Sequence, residues 1–382
     1  MTISHVSHGG TVDWIISYAM ANHNQERGEM VDLLGYHECN SVVIYNCNER
    51  YRTLATHKPG VDIISHPIVS DLGDLDMLPI EMLNVVLQYS DLHTLSLLSL
   101  INRKAKAIVE GFIPYKLIKT HAPHVLVVLT STEVASHFTA VQVADALCSS
   151  SCAICGNFGL FLWVPDCVRC CFPCMRCSPK LMPMTKRDAK AAFGLSEKAL
   201  SKVPIIHSLP GNYYSYHHLS GEYKRRRWLL SQVTAHKIAV EVHGGEEGLT
   251  SYINSTTSRA KAAYDQRVAM ENGSSFVYLD AKTRDNVSRS MVTTYLPYFD
   301  TKSRSVTKTA LFCQGCQVAF SNVSDEVDDT MDVDFLLDMR DRTYTEDILL
   351  DHFKTCTKAQ CMWDERHIND DWMLDKYHLV HD

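Results

Sequence analysis

From Leu72 to Leu147 apolar residues recur every three or four positions and few glycines interrupt them, which is the spacing of amphipathic helices rather than of strands. Leu78-Pro79-Ile80-Glu81-Met82-Leu83 opens the first of these helices, because a proline in the first turn loses no hydrogen bond and pre-sets φ. Met82, Leu83, Val86 and Leu87 then form one apolar stripe. Ser90-Asp91 offers a cap to a second helix, in which Leu92, Leu95, Leu98 and Ile101 recur at three-residue steps. Ala105, Ile108, Val109 and Phe112 supply a third stripe before Pro114. Helices this short cannot bury so many leucines among themselves, so the unit is expected to pack on the rest of the chain or on a partner.

Elsewhere the pattern is more broken. Between Val31 and His66, short apolar runs such as Ser41-Val-Val-Ile-Tyr45 and Val61-Asp-Ile-Ile64 alternate with turn-like Lys58-Pro-Gly60, which predicts a small piece of strand and helix. Ser178 to Val242 returns to helical spacing, with Phe193-Gly-Leu-Ser196 reading as a helix end followed by a fresh cap. Gly244 to Asp300 is more polar, although Ser251 to Glu271 keeps enough alanine and spaced apolar residues for a helix. Asp325 to Asp334 holds five aspartates and one glutamate, the composition of a solvated acidic linker. The expected fold is therefore mainly α: a small α/β segment over 1-71, a three-helix unit over 72-118, a helical region with a cysteine-rich cluster over 119-245, and a C-terminal region with a second Cys/His cluster over 246-382.

Composition narrows the function classes. The 382 residues, 46% of them hydrophobic, are enough for two or three units with real cores. A net charge of -7 gives no global attraction to phosphate backbones or anionic membranes. The start Met1-Thr-Ile-Ser-His-Val-Ser-His8 lacks the basic and apolar regions of a secretory signal, and no run reaches the ~20 apolar residues of a membrane helix. The expected compartment is the cytoplasm or nucleus. The glycosylation-like triplets at Asn254, Asn272, Asn286 and Asn322 then read as chance. Fourteen cysteines in a reducing compartment point to metal rather than to disulfides.

Two groups of cysteines have ligand spacing. Cys152-Ala-Ile-Cys155-Gly156 is followed, after fifteen residues intervening beyond Cys155, by Cys171-Phe-Pro-Cys174, the paired pattern of a four-cysteine zinc site. Gly156 fits the left-handed residue that follows such a turn. Arg169 and Arg176 lie close enough in sequence to offset the charge of four thiolates. Cys167, Cys170 and Cys177 make the pairs Cys167/Cys170 and Cys174/Cys177 valid alternatives to the preferred set of Cys152, Cys155, Cys171 and Cys174. The second group is Cys313-Gln-Gly-Cys316 with His352-Phe-Lys-Thr-Cys356, where one helix starting at Thr345 would carry His352 and Cys356 on the same face. Both sets use four protein ligands and leave no position for a reactive water, so the zinc is expected to be structural.

The segment around Leu78 resembles the F-box, whose Leu-Pro opening, Glu-x-Leu step and closing Asn-Arg step stand here as Leu78-Pro79, Glu81-Met82-Leu83 and Ile101-Asn102-Arg103. Cys148 to Cys174, Ala192-Phe-Gly-Leu-Ser196, Ser208-Leu-Pro-Gly211, Phe312-Cys-Gln-Gly-Cys316, Arg340-Asp-Arg-Thr-Tyr-Thr345 and Asp351-His-Phe353 look like recurring blocks of a fungal F-box family, over roughly Leu72 to Cys361. The resemblance implies docking on a Skp-type adaptor, and through it on a cullin, with Leu78, Pro79, Leu83, Val86, Leu92 and Leu95 at or near the contact. It implies a substrate receptor that recruits an unknown protein target. Two departures, Val85 where a charge is common and Ser90 where leucine is usual, predict weaker docking.

An enzyme has little to stand on: there is no nucleophile elbow, phosphate loop or dinucleotide fingerprint, and the two cysteine groups are too far apart for the interleaved ligands of a RING domain. The alternative is a zinc-stabilised nucleic-acid-binding or scaffold protein without ligase assembly. Lys224-Arg-Arg-Arg227 beside Tyr213, Tyr214, Tyr216 and Trp228 is its support, although such a run usually marks a solvated face.

Overall fold

Helix dominates, as the spacing predicts, and the strands are short pieces that tie helices together. The structure is a computed structural model describing residues 24–36, 71–214, 220–272, 284–307, 310–325 and 333–365. The chain forms two units, one from Met1–Asn40 with Thr309–Asp382 and the other from Ser41–Lys308. The first described elements are α1 (Asn24–Leu34) and β1 (Gly35–Tyr36). The strand and helix expected around Ser41–Tyr45 and Val61–Ile64 lie outside the described residues.

The larger unit begins with three short helices, α2 (Ile80–Tyr89), α3 (Leu92–Ile101) and α4 (Arg103–Gly111). Pro79 is the N-cap of α2, and its carbonyl accepts from the amides of Met82 and Leu83. Asp91 caps α3, its carboxylate accepting from the Thr94 amide at 2.8 Å. Asn102 does two jobs: its side-chain oxygen accepts from the Ala105 amide and its Nδ2 donates to the Asp71 carbonyl, both at 2.8 Å. The Lys104–Asp76 ion pair closes the same loop at 2.5 Å.

Three more helices follow, α5 (Ile113–His121), α6 (Pro123–Ser131) and α7 (Ala140–Cys148), the last opened by a reciprocal Thr139/Gln142 capping box. Leu87, Leu92, Leu95, Val109 and Phe112 share one core with Ile118, Leu129 and Leu147, and that core runs on into Leu162 and Trp163. The three-helix segment thus rests on the rest of its unit, as its leucine content requires.

Beyond α7, β2 (Phe161–Trp163) and β3 (Val168–Cys170) form a hairpin that leads into α8 (Phe172–Cys177). Ser178 to Val242 is not the helical stretch its spacing predicts. It contains β4 (Pro183–Thr185), α9 (Lys186–Phe193), α10 (Glu197–Leu200), β5 (Ile206–His207), β6 (Gly211–Tyr214), β7 (Ser220–Tyr223), β8 (Trp228–Ser231) and α11 (Gln232–Val242). These strands are two to four residues long, and in β8 three consecutive residues are buried, so no alternation marks them. Strand β8 lies between β4 and β5, while β6 pairs with β7. The helix stop and restart are where the sequence puts them: Gly194 is left-handed at φ 65°, and Ser196 caps α10.

The helix expected over Ser251–Glu271 is two, α12 (Glu246–Ser255) and α13 (Arg259–Asn272). Ser258 restarts the chain by accepting from the Lys261 amide at 3.1 Å. After α14 (Arg284–Met291), β9 (Thr293–Tyr295) joins the edge of β2, and β10 (Tyr298–Asp300) pairs with β11 (Ser305–Thr307).

The smaller unit completes itself with β12 (Phe312–Cys313), α15 (Gln314–Asp325), α16 (Val333–Arg340), α17 (Glu346–Phe353) and α18 (Thr357–Glu365). Antiparallel pairing sets Gly35 against Cys313 and Tyr36 against Phe312. Met30, Leu34, Leu349, Leu350, Phe353 and Met362 form its core. The linear divisions therefore change: residues 24–36 belong with the C-terminal cluster, and 246–308 belong with the larger unit. Most of the acidic linker, residues 326–332, lies outside the described residues.

Candidate metal centres and docking face

Cys152, Cys155, Cys171 and Cys174 come together, with every sulfur within 4.8 Å of the others. The first pair sits in a tight turn in which the Gly156 amide donates to the Cys152 carbonyl at 2.9 Å and the Ile154 amide points at the Cys152 sulfur at 3.4 Å. Gly156 has φ 79°, the left-handed conformation expected of it. The second pair is supplied by α8: Cys171 is its N-cap and Cys174 lies in its first turn. The Ala153 amide donates to the Arg169 carbonyl, which ties the first turn to β3 beside the second. Cys155 and Cys171 have their sulfurs 3.6 Å apart, far beyond the ~2.05 Å of a disulfide.

Cys167, Cys170 and Cys177 are not part of this group. Cys170 ends β3 and is wholly buried, and burial pushes its thiol up. Cys167 has a left-handed backbone in the β2–β3 turn, and burial pushes its thiol up to about 12. The Cys177 thiol donates to the Pro173 carbonyl at 3.0 Å.

Arg169 does not serve the sulfurs with its side chain. It is 2% exposed and donates to five backbone carbonyls: Ala146 and Leu147 at the end of α7, Gly159, and Leu296 and Pro297 between β9 and β10. Burial pulls its guanidinium down to about 10, which leaves it charged at neutral pH. Arg289 on α14 likewise donates to the Met175 and Ser178 carbonyls at the end of α8. Arg176 lies over the Phe172 ring.

Cys313, Cys316, His352 and Cys356 also come together within 4.8 Å. Cys316 stands 3.3 Å from His352 Nε2 and 3.8 Å from the Cys356 sulfur, and Cys313 stands 3.7 Å from the Cys356 sulfur. Thr345 caps α17 as read, its hydroxyl accepting from the Ile348 amide at 3.4 Å. However, α17 ends at Phe353, so one helix does not carry both ligands. The Cys356 amide still reaches the His352 carbonyl at 3.0 Å, and this single extra turn keeps the two side chains on one side. A Cβ at Gly315 would stand 2.5 Å from the Ala359 nitrogen, so only glycine lets α15 begin this close to α18. Tyr344 stacks on His352 with centroids 4.8 Å apart and is held there by reciprocal backbone bonds with Leu311. Sequence spacing gives Tyr344 no role, because the bridge that places it joins it to distant Leu311.

Both sets can hold a metal ion. In each, one sulfur is drawn toward the thiolate by its neighbours. Hydrogen bonds from Cys171 and Cys174 hold Cys152 far below the usual thiol range, and those from Cys313 and Cys316 do the same for Cys356. Their neighbours Cys171 and Cys316 are pushed up, chiefly by the sulfurs they share protons with.

The residues expected at the adaptor contact divide. Leu83, Leu92 and Leu95 are buried in the core and Leu78 is half-buried, whereas Pro79 and Val86 are exposed. Periodicity places Leu83, Val86, Leu92 and Leu95 on apolar stripes but does not say which positions the chain itself covers. Of the sixteen exposed large apolar side chains among the described residues, eleven fall between Leu75 and Ile113. Met77, Tyr89 and Leu100 are each about 80% exposed, which leaves α2 and α3, with the residues just before α2, carrying uncovered apolar surface.

In the basic run, Tyr213 is 7% exposed and its hydroxyl donates to the Leu209 carbonyl, so it offers no stacking surface. Tyr216 lies outside the described residues. No described helix is long and apolar enough to cross a membrane. No family model, curated protein or solved structure matches the chain.

Proposed function

We propose that the chain is a non-catalytic F-box receptor that docks on a Skp-type adaptor, and through it on a cullin, and recruits a protein target for ubiquitin transfer. The observation that carries this reading is the uncovered apolar surface of α2 and α3, on the segment whose residue order resembles the F-box. An apolar face of this size in water favours a partner. The docking set is accordingly revised to Met77, Pro79, Ile80, Val86 and Tyr89, with Leu83, Leu92 and Leu95 as the core beneath them. Receptor action of this kind supplies proximity, not bond-making chemistry.

Zinc is the metal we assign to both centres. A tetrahedral site with zinc–sulfur bonds of about 2.3 Å has sulfur–sulfur edges of about 3.8 Å. The observed separations of 3.6, 3.7 and 3.8 Å match that edge before any ion is placed. Closed Cys₄ and Cys₃His sets suit structural zinc in a reducing compartment, the cytoplasm or nucleus.

Co-expression with a Skp-type adaptor tests the docking. Ile80→Asp with Val86→Asp changes two exposed side chains, so the fold should survive while adaptor recovery is lost. Recovery equal to wild type, at an unchanged melting temperature, refutes the docking face.

A further inference from the structure

A cleft of about 590 Å³ opens between the start of α9, the start of β8 and the flank of α13. Lys186, Arg187, Arg226 and Arg227 line it, against a single carboxylate, Asp188. Ala191, Ala260 and Ala263 form its apolar wall. Four cations around one concavity run against the balance of a chain whose net charge is -7.

The cations are positioned rather than loose. Arg227 donates to the Ser288 hydroxyl at 2.8 Å, while its backbone amide donates to the Ser208 hydroxyl at 2.8 Å. Arg226 is held by Glu133 at 3.2 Å. Lys186 pairs with Glu197 at 2.7 Å and lies over the ring of Trp228, 5.1 Å from its centroid. Arg187 is exposed and makes no ion pair among the described residues. Trp228 is half-exposed at the mouth, with His207 stacked against it at 5.6 Å.

We infer that this cleft binds a peptide segment carrying clustered oxyanions on its side chains, whether carboxylates or phosphates. Arginine forks match both groups, and the volume falls within the range of built ligand sites. Nucleic acid fits less well. Tyr213 is buried, and the Trp228 ring already carries Lys186 and His207, so no aromatic platform is left for successive bases. A short peptide needs only the field within a Debye length of about 8 Å, which the four lining cations supply. That such a peptide would be the recruited target rests on the receptor reading; the binding itself does not.

Fluorescence anisotropy on the purified full chain tests this with four labelled probes: an Asp/Glu-rich peptide, the same length with phosphoserines, a neutral Gln/Ser peptide, and an oligothymidylate of matched charge. Saturable binding of one or both anionic peptides and none of the neutral one is expected, and the comparison of the two says which oxyanion the cleft prefers. Arg187→Gln with Arg226→Gln should weaken binding about tenfold or more, because two charge-assisted contacts are lost. Lys224→Gln with Arg225→Gln removes the same charge from exposed neighbours that do not line the cleft, and should change affinity less than about twofold.

No saturable peptide binding, equal weakening by both double variants, or displacement of peptide by a tighter-binding oligothymidylate overturns the proposal. If the first double variant melts lower than wild type, Arg187→Gln alone decides, since that side chain makes no hydrogen bond or ion pair among the described residues. Adaptor recovery measured on the same samples separates the two readings. Peptide binding without adaptor binding keeps the cleft and removes the ligase role; the reverse removes the cleft.

Discussion

Replacing Arg169 by methionine keeps an unbranched apolar side chain in place but leaves five buried carbonyls without their donor. Each hydrogen bond to a charged group contributes about 1.5–3 kcal/mol, and an unsatisfied buried acceptor costs roughly 1–3 kcal/mol. Against that sum stands the desolvation of the guanidinium, several kcal/mol, which methionine avoids. A net loss of about 3–5 kcal/mol follows, in line with other cases where one partner of a buried ionic group is removed. For a unit of this size about 1 kcal/mol moves the melting temperature by roughly 2–4 °C, so the drop should be about 10 °C. Differential scanning fluorimetry on the zinc-loaded protein reads it directly. Arg169→Lys keeps the charge but has only three donors on a single nitrogen, so it should recover part of the loss and not all of it. A methionine variant melting within about 2 °C of wild type would refute the reasoning, because it would mean that the five carbonyls find other partners at little cost.

Elemental analysis of protein purified without chelators should give two zinc per chain, falling to one in Cys171→Ser and to one in Cys356→Ser; metal-free folded protein would remove both centres. Zinc should be released as pH falls, because protons compete for the thiolates, and release that is indifferent to pH would count against sulfur ligation. Leu95→Ala, in the core beneath the docking face, should destabilise by about 2–5 kcal/mol while adaptor affinity per folded molecule stays within about twofold. A selective loss of adaptor binding at unchanged stability would instead place Leu95 at the contact.

What could be read from the sequence was what short range decides. The three-residue steps of Leu92, Leu95 and Leu98 mark α3, Asp91 caps it, and Gly194 with Ser196 stops one helix and starts the next; each depends on residues within a few positions. The cysteine sets were legible for the same reason, since a Cys-x2-Cys turn declares itself locally. What escaped depends on distant partners. Strand β8 is three buried residues in a row, and only its neighbours β4 and β5 make it a strand. Leu83, Leu92 and Val86 look alike as periodic apolar positions, yet the fold buries the first two, Leu92 in the core with Ile118, Leu129 and Leu147, and leaves the third exposed. Tyr344 reaches His352 through a bridge to Leu311, and the cleft at Trp228 assembles from segments some thirty to forty residues apart.

The antiparallel match of Gly35 with Cys313 joins the opening of the described chain to its last quarter. On a ribosome, α1 and β1 emerge long before the strand that will pair with them, and the second ligand set stays incomplete until Cys356 has been made. A metal bound there would act as a late latch, closing over a segment that has waited through the synthesis of the larger unit. A fragment trimmed to begin at the three-helix segment would keep all eight cysteine and histidine ligands, yet β12 would lack the neighbour beside Cys313. Its second centre would be present in composition and without part of its frame.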